Sequence, residues 1–393
     1  MELLLYSTLF PNGAQPRHGL FVEHRLRRLV ASGHVRAEVV APVPWFPRVL
    51  GRRFGGRYGT FARVPDEELR GDLRVFHPRY PVFPKVGWTL VPFSMAAFTL
   101  ARVRRVQAAW RSPGIIDAHY FFPDGVAAVL VGQRLGVPVV ITARGSDINL
   151  IPRYRFPRWL IRRAAHTAAG IATVSAALKE TLVEMGVPGE RIRVLRNGVD
   201  LQQFRPLDRE AVRSDLGVKG EVIVSIGNLI ETKGHHLVVE ALSRLPGTTL
   251  MIVGEGPMRE ELVRLAESNG VAERVRMVGA VPQEDLLHYY NAADVLVLAS
   301  CREGMPNVLL ESLACGTPVV ASAVGGIPEV VADPAAGEMM KALSADAVVE
   351  AVTRLRGRGI DRTATRTYAE RFRWEETTRG QVELFRQILE YRP

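Results

Sequence analysis

Three short segments in the second half of the chain hold residue types and spacings that can do chemistry. The first is Gly227-Asn228-Leu229-Ile230-Glu231-Thr232-Lys233-Gly234, where a glycine turn leaves an apolar run and a lysine stands just before a helical pattern. A helix N-terminus with a nearby cation suits a phosphate. Taken alone, Lys233 reads as a surface lysine at a helix start. The second is Cys301-Arg302-Glu303-Gly304-Met305-Pro306-Asn307-Val308-Leu309-Leu310-Glu311, two acids bracketing a glycine turn. Carboxylates repel phosphate but accept paired hydroxyl hydrogen bonds, so Glu303 and Glu311 suit a ribose or hexose. The third, Gly325-Gly326-Ile327-Pro328-Glu329, is by itself only a tight turn. Gly254-Glu255-Gly256-Pro257-Met258-Arg259 begins like a dinucleotide fingerprint, but Arg259 fills the third glycine's place and Pro257 opens the helix, so a nicotinamide reading is weak.

The elements that must position these segments follow a regular alternation. Val222–Ile226, Thr249–Val253, Val275–Val278, Val295–Ala299 and Pro318–Ala321 read as apolar strands, each followed by a helical stretch. Apolar strands without polar alternation, separated by helices, indicate a parallel sheet covered on both faces. All three segments then fall at C-terminal strand ends, where open α/β sheets bind ligands. The first half repeats the plan, with strands at Leu3–Ser7, Val39–Ala41, Ile115–Ala118, Val139–Thr142, Ile171–Val174 and Ile192–Leu195. Pro42 to Arg70 reads as a long insertion. The fold class is therefore α/β with two doubly wound parallel-sheet domains, residues 1–205 and 206–374, and a final helix over 375–393 crossing back to the first.

Composition narrows the class further. The 393 residues are 47% hydrophobic and 23% charged, which excludes wholesale disorder. Cys301 and Cys315, the two cysteines, fit neither a metal knuckle nor a disulfide framework. The uncharged run Val86–Ala101 contains Pro92 and falls short of the ~20 residues a spanning helix needs. A cytoplasmic protein is expected, without signal peptide. No D-x-D motif and no His/Asp/Glu cluster has convincing metal spacing, so a metal-free site with no cofactor is expected. His235 and His236 read as surface or capping residues at a helix start.

The motifs in this order resemble the glycosyltransferase family 4 group. They run from Asn197-Gly198-Val199-Asp200 and the GxLxxxKG of Gly227–Gly234 through GEGPMREEL at Gly254, the E-x7-E, CGTPVVAS at Cys315 and GGIPE at Gly325. In the first half DAHYFFPDGVAA at Asp117 and TARGSD at Thr142 match the same family, and the overall pattern is similar to bacterial teichuronic-acid-biosynthesis enzymes. The resemblance implies the GT-B architecture of two facing Rossmann-like domains with a cleft between them. It implies a retaining transfer of a hexosyl unit from a UDP- or GDP-linked sugar to a hydroxyl acceptor in cell-envelope glycan or glycolipid synthesis. By position, Lys233 would bind the donor diphosphate, Glu311 the ribose and Glu303 the sugar hydroxyls. The backbone of Gly304, Met305, Pro306 and Asn307 would line sugar and phosphate, and that around Val281–Glu284 the base. His119 would sit near donor sugar and acceptor, and Gly19 beside the phosphate. Without the resemblance, His119 reads as a core histidine on a strand end. Many members carry arginine where Asn228 stands, so phosphate neutralisation falls to Lys233, a helix dipole or an arginine such as Arg144. The alternatives are a nucleotide-sugar epimerase of the same fold and a non-catalytic sugar- or lipid-binding scaffold.

Charge adds a partner. Residues 1–200 carry +15 and residues 201–393 carry −5, and no acid occurs from Val39 to Pro65, Leu73 to Ile116 or Ile148 to Lys179. The first two windows mix arginine with Trp45, Phe46, Phe54, Tyr58, Phe61, Phe83 and Trp88. Basic and aromatic side chains together suit an anionic membrane surface, so the protein is expected at the inner face of the cell membrane, with a lipid-linked or acidic-glycan acceptor. Nucleic acid would require a recognition motif, and none is present.

Overall fold

The computed structural model describes residues 1–45, 56–82, 87–359 and 361–390. The chain forms two compact units, Met1–Leu195 with Glu375–Pro393, and Arg196–Trp374. Of the expected basic and aromatic positions, Phe46, Arg52, Arg53, Phe54 and Phe83 lie outside the described residues.

The first unit is built on an eight-stranded sheet. Its order is Ile192–Val194, Gly170–Thr173, Val139–Ala143, Gly114–His119, Glu2–Tyr6, Arg36–Val40, Leu73–Phe76 and Glu67–Arg70. Every pairing is parallel except the last, where Glu67–Arg70 runs back along Leu73–Phe76. Glu67–Arg70 takes up the end of the insertion read from the sequence, and Leu73–Phe76 follows directly after it. Leu3, Leu4, Leu5 and Tyr6 are all buried because their strand is central, with a neighbour on each side and helices on each face. The helix Trp374–Glu390 belongs to this unit, and its Val382, Leu384 and Phe385 share a core with Leu3, Val22, Ile115 and Val140.

The second unit has a six-stranded parallel sheet ordered Val275–Gly279, Thr248–Val253, Glu221–Ile226, Val295–Leu298, Val319–Ser322 and Gly337–Met340. The sixth strand, Gly-Glu-Met-Met, lacks the β-branched signature of the others and was not among the expected strands. The segment 196–205, assigned by sequence to the first domain, packs with this unit. The Val199 N–H donates to the Phe372 carbonyl at 2.8 Å, and Arg366 donates to the carbonyls of Leu201 and Phe204. The outgoing and returning strands of chain thus lie side by side, as a bridge between Val199 and Arg373 also records.

Each sheet has one place where the order of strands reverses. In the first unit it lies between Glu2–Tyr6 and Gly114–His119, and in the second between Glu221–Ile226 and Val295–Leu298. Loops leaving such neighbouring strands diverge and open a crevice at their C-terminal ends.

Candidate active site

In the second unit both loops at the reversal carry the expected charges. Strand Glu221–Ile226 ends at Gly227, a short 3₁₀ turn spans Glu231–Lys233, and helix His235–Leu242 follows Gly234. Gly234 has φ 68°, and a Cβ there would stand 1.9 Å from the Ala299 carbonyl oxygen. Only glycine lets this turn rest on the end of the adjacent strand. The close approach delivers Lys233 to the next loop, where its Nζ meets Glu303 Oε1 at 2.6 Å. The Cys301 N–H donates to the Thr232 carbonyl at 3.0 Å and fastens the loops together.

The Gly325-Gly326 turn supports this loop from the far side. Gly325 has φ 54° with its missing Cβ 2.0 Å from the Glu303 carbonyl, and the Gly326 N–H donates to the Gly304 carbonyl at 2.8 Å. Asn197 holds the other end, donating to Asn307 Oδ1 at 2.9 Å and to the Met305 carbonyl at 3.4 Å. Arg196 beside it pairs with Glu329. Gly304, Met305 and Pro306 are buried, and helix Asn307–Ala314 begins directly after Pro306. Asn197 is a supporting residue that sequence reasoning quoted only as part of a motif.

Glu311 lies in the second turn of that helix and is buried. Its Oε2 accepts from the Tyr290 hydroxyl at 2.7 Å and its Oε1 from Gln283 Nε2 at 3.1 Å. Burial pushes the Glu311 carboxyl up, and the two donors oppose the shift. Gln283 belongs to the half-exposed stretch following Val281, so the segment expected to meet a base is tied to the residue expected to meet a ribose. Tyr290 carries no local motif, which is why the sequence did not reveal it, and Gln283 falls in the expected segment but acts through its side chain. Asn228 is exposed on the same loop as Lys233.

His235 departs from its expected surface role. It is fully buried, its Nδ1 is 2.8 Å from Ser225 Oγ, and burial lowers its imidazole to about 4. The close seat that Gly234 allows draws the helix start, and His235 with it, onto the strand.

The first unit finishes its strands differently. Gly19, with φ 71°, caps helix Leu20–Ala31, and a Cβ there would stand 2.3 Å from the Leu9 carbonyl. His119 closes strand Gly114–His119 and is 1% exposed. Its Nε2 lies 3.0 Å from Asp117 Oδ2, and its Nδ1 accepts from Arg144 Nε at 3.2 Å. Register explains the second contact: His119 pairs with Thr142, and Arg144 leaves the neighbouring strand two residues later. Behind Asp117 the network continues. Gln381 Nε2 donates to Asp117 Oδ2 at 2.7 Å, and the buried Arg25 donates to Gln381 Oε1 at 2.9 Å. A carboxylate on one side and a guanidinium on the other fix the neutral tautomer with its proton on Nε2. Burial lowers His119 to about 4; Asp117 opposes that shift and Arg144 adds to it. Both ring nitrogens are engaged, so the ring is a fixed hydrogen-bonding element and has no idle lone pair. Nearby, Asp124 accepts from the Thr8 N–H and from its hydroxyl, and burial pushes its carboxyl up to about 7.

Among the described residues no group of three or more His, Cys, Asp or Glu is placed to hold a metal ion. No helix among them is long and apolar enough to cross a membrane.

Comparison with known proteins follows this division. Residues 21–203 match the model of Glycosyltransferase Family 4, and residues 208–372 that of Glycosyl transferases group 1. The chain is 28% identical over 361 residues to the putative teichuronic acid biosynthesis glycosyltransferase TuaC of Bacillus subtilis, covering 90% of this chain and 89% of that protein. It is 35% identical over 329 residues to D-inositol 3-phosphate glycosyltransferase of Mycobacterium tuberculosis, covering 76% of this chain and 67% of that one. Sucrose-phosphate synthase from Thermosynechococcus elongatus superposes with a TM-score of 0.76 at 20% identity, over 100% of this chain and 99% of that one. HepE of Anabaena, in complex with UDP-glucose, superposes with a TM-score of 0.71 at 20% identity, over 97% and 98%. With this fold, these strand ends and these relatives, the chain belongs to the family 4 glycosyltransferases of the GT-B fold.

Proposed function

We propose that this enzyme moves a hexosyl unit from a nucleoside diphosphate sugar to a hydroxyl acceptor with retention of configuration and without a metal. The observation that carries the reading is the Lys233–Glu303 pair, set where the strand order reverses, with the Glu311 carboxylate eight residues beyond Glu303 on the helix that follows the same loop. Lys233 brings the positive charge that a departing diphosphate needs, and Glu303 brings an acceptor for sugar hydroxyls. Their pairing keeps both groups poised until a donor offers each a better partner. Glu311, held by Tyr290 and Gln283, keeps acceptor capacity for a ribose. The UDP-glucose bound by HepE supports a uridine donor as the first to test.

In the reaction the bond from C1 to the phosphate oxygen breaks and its electron pair leaves with the diphosphate. Lys233 and the nearby helix N-terminus stabilise that charge as it develops. The acceptor oxygen bonds C1 on the same face, and its proton passes to the departing phosphate oxygen. Front-side attack is favoured because, among the described residues of the second unit, Glu303 serves the sugar hydroxyls and Glu311 is buried against Tyr290, so neither is assigned as a nucleophile. His119 contributes as a neutral, fixed group in the first unit, held between Asp117 and Arg144.

The named role of TuaC in teichuronic acid biosynthesis supports a cell-envelope acceptor, and the basic first unit supports work at the inner membrane face. The experiment is a donor screen with UDP- and GDP-sugars, following donor consumption with and without added acceptor. Transfer that needs acceptor and that Lys233→Ala abolishes upholds the proposal. Interconversion of the donor sugar without acceptor would identify an epimerase instead, and binding without turnover a scaffold.

A further inference from the structure

We infer that the first unit docks on an anionic phospholipid bilayer through one particular face, the outward side of helix Arg155–Thr167 together with the adjoining Trp88. The inference rests on the reading that this unit works against a membrane, and it centres the contact on the third acid-free window, Ile148–Lys179, keeping Trp88 of the aromatic positions expected from the sequence.

Helix Arg155–Thr167 buries Pro157, Leu160, Ile161, Ala164 and Ala165 against its own unit. What remains outside is unusual for a solvent face. Phe156 is 43% exposed and Trp159 51%, and Tyr154, just before the helix, is 56% exposed. Arg155, Arg158, Arg162 and Arg163 stand between the rings, and Arg153 precedes them. Some arginines elsewhere in the unit have acids, as Arg27 and Arg70 have Glu23 and Arg74 has Glu67, while others such as Arg104 and Arg105 make no ion pair among the described residues. Among the described residues these five make no ion pair, and no acid lies in sequence between Ile148 and Lys179. Unneutralised cations interleaved with apolar rings match an interface of acidic headgroups over acyl chains.

The rings also join this face to the candidate site. Trp88, 41% exposed, meets Tyr154 with ring centroids 5.0 Å apart and Phe122 at 5.9 Å. Phe122 lies three residues beyond His119, so the patch starts beside the strand end that carries the site. A bilayer on this face would present a lipid-linked acceptor there. The charge alone would also suit nucleic acid, but the ring faces do not. Trp159 is stacked against Phe156 at 5.8 Å and has the Arg163 guanidinium 5.7 Å from its ring, so the ring faces on which bases would stack already have neighbours. Bases need open faces, whereas acyl chains accept edges.

The test is flotation of the whole protein with vesicles of phosphatidylcholine alone and of equal phosphatidylcholine and phosphatidylglycerol, at low and high salt. Wild type should float with the anionic vesicles and be released by salt. The triple variant Arg155→Gln, Arg158→Gln, Arg163→Gln should lose about a hundredfold in partitioning, because each arginine near an anionic surface contributes a factor of roughly five. Phe156→Ser with Trp159→Ser should also release the protein, with thermal unfolding unchanged because these side chains face outward. If wild type floats and both variants float equally, the docking face is elsewhere, and this inference fails while the membrane reading stands. If wild type does not float, both fall. Retention on heparin or single-stranded DNA without flotation would overturn the lipid assignment in favour of a polyanion. Quenching of tryptophan emission by brominated phosphatidylglycerol gives a readout that needs no loss of binding: Trp159→Phe should remove a large share of it, and an unchanged signal would overturn the inference.

Discussion

The two units reverse their strand order in the same way and finish the reversal with opposite chemistry. In the second unit, the loops after Glu221–Ile226 and Val295–Leu298 bring a lysine and a glutamate together in a pair that keeps some solvent access. In the first, the corresponding strand end draws its polar groups inward, into a chain from Arg25 through Gln381 and Asp117 to His119 and Arg144. A pair with solvent access can exchange partners when an anion and a set of hydroxyls arrive. A buried chain cannot exchange cheaply, because each unmade hydrogen bond leaves a desolvated group behind. One unit is built to change partners and the other to hold still.

The largest effect expected from breaking this contrast is on the mobile side. Lys233→Ala should lower turnover by about ten- to a hundredfold or more, since a charge-assisted contact is typically worth ~1.5–3 kcal/mol. Steady-state kinetics with the donor found by the screen checks this, and near-normal rates would break the site assignment. Glu311→Ala should act on rate and stability together, because it strips the acceptor from Tyr290 and Gln283; a drop in Tm alongside lost donor binding is the expected pair of readings.

On the fixed side, Gln381→Leu should leave donor affinity unchanged and lower kcat by about tenfold through the setting of His119, with a drop in Tm because buried Arg25 also loses an acceptor. Nitrogen-15 spectra of the histidine ring should then show loss of the single Nε2–H tautomer. An unaltered tautomer would mean that Asp117 suffices without its partner.

Titration sharpens the same contrast. His119, lowered to about 4 from 6.5, gives stability that is present above 6.5 and lost as pH falls through about 4. Asp124, raised to about 7 from 3.8, does the reverse: its contribution is present below 3.8 and lost as pH rises through about 7. Asp124→Asn should therefore flatten the decline in Tm between pH 5 and 8, and a ring titration should show His119 neutral throughout that range. The smallest effect expected is none at all: EDTA should leave activity intact, and abolition that Mg²⁺ or Mn²⁺ restores would reveal a metal site.

The candidate site of the second unit was legible in the sequence because its signals are local. Gly227, Gly234 and Gly304 mark turns after apolar strands, and Glu303 and Glu311 lie eight residues apart across one loop and helix start. The chain behind His119 was not legible. Gln381 is 264 residues from Asp117 and reads as a polar position on an amphipathic helix, and Arg25 reads as one more arginine among several. Strand Glu67–Arg70 hid in a run of charge that lacks any apolar face, since it pairs at the sheet edge. The compact second unit begins at Arg196, ahead of the boundary at 205 read from the sequence, because Asn197 packs on Met305 and Asn307, and tertiary packing leaves no mark on composition.

The helix that returns to the first unit sets an order of assembly. Residues 196–374 are contiguous and can be completed as soon as they have been synthesised. The first unit begins earlier yet must wait for Val382, Leu384 and Phe385 to fill its core and for Gln381 to reach Asp117. During translation the donor-side residues are therefore in place before the His119 support is complete. A nascent or prematurely terminated chain that stops near Trp374 would keep Lys233, Glu303 and Glu311 but lack the last piece of the other unit. The chain order thus lets the second unit close on itself before the first unit has received its final helix.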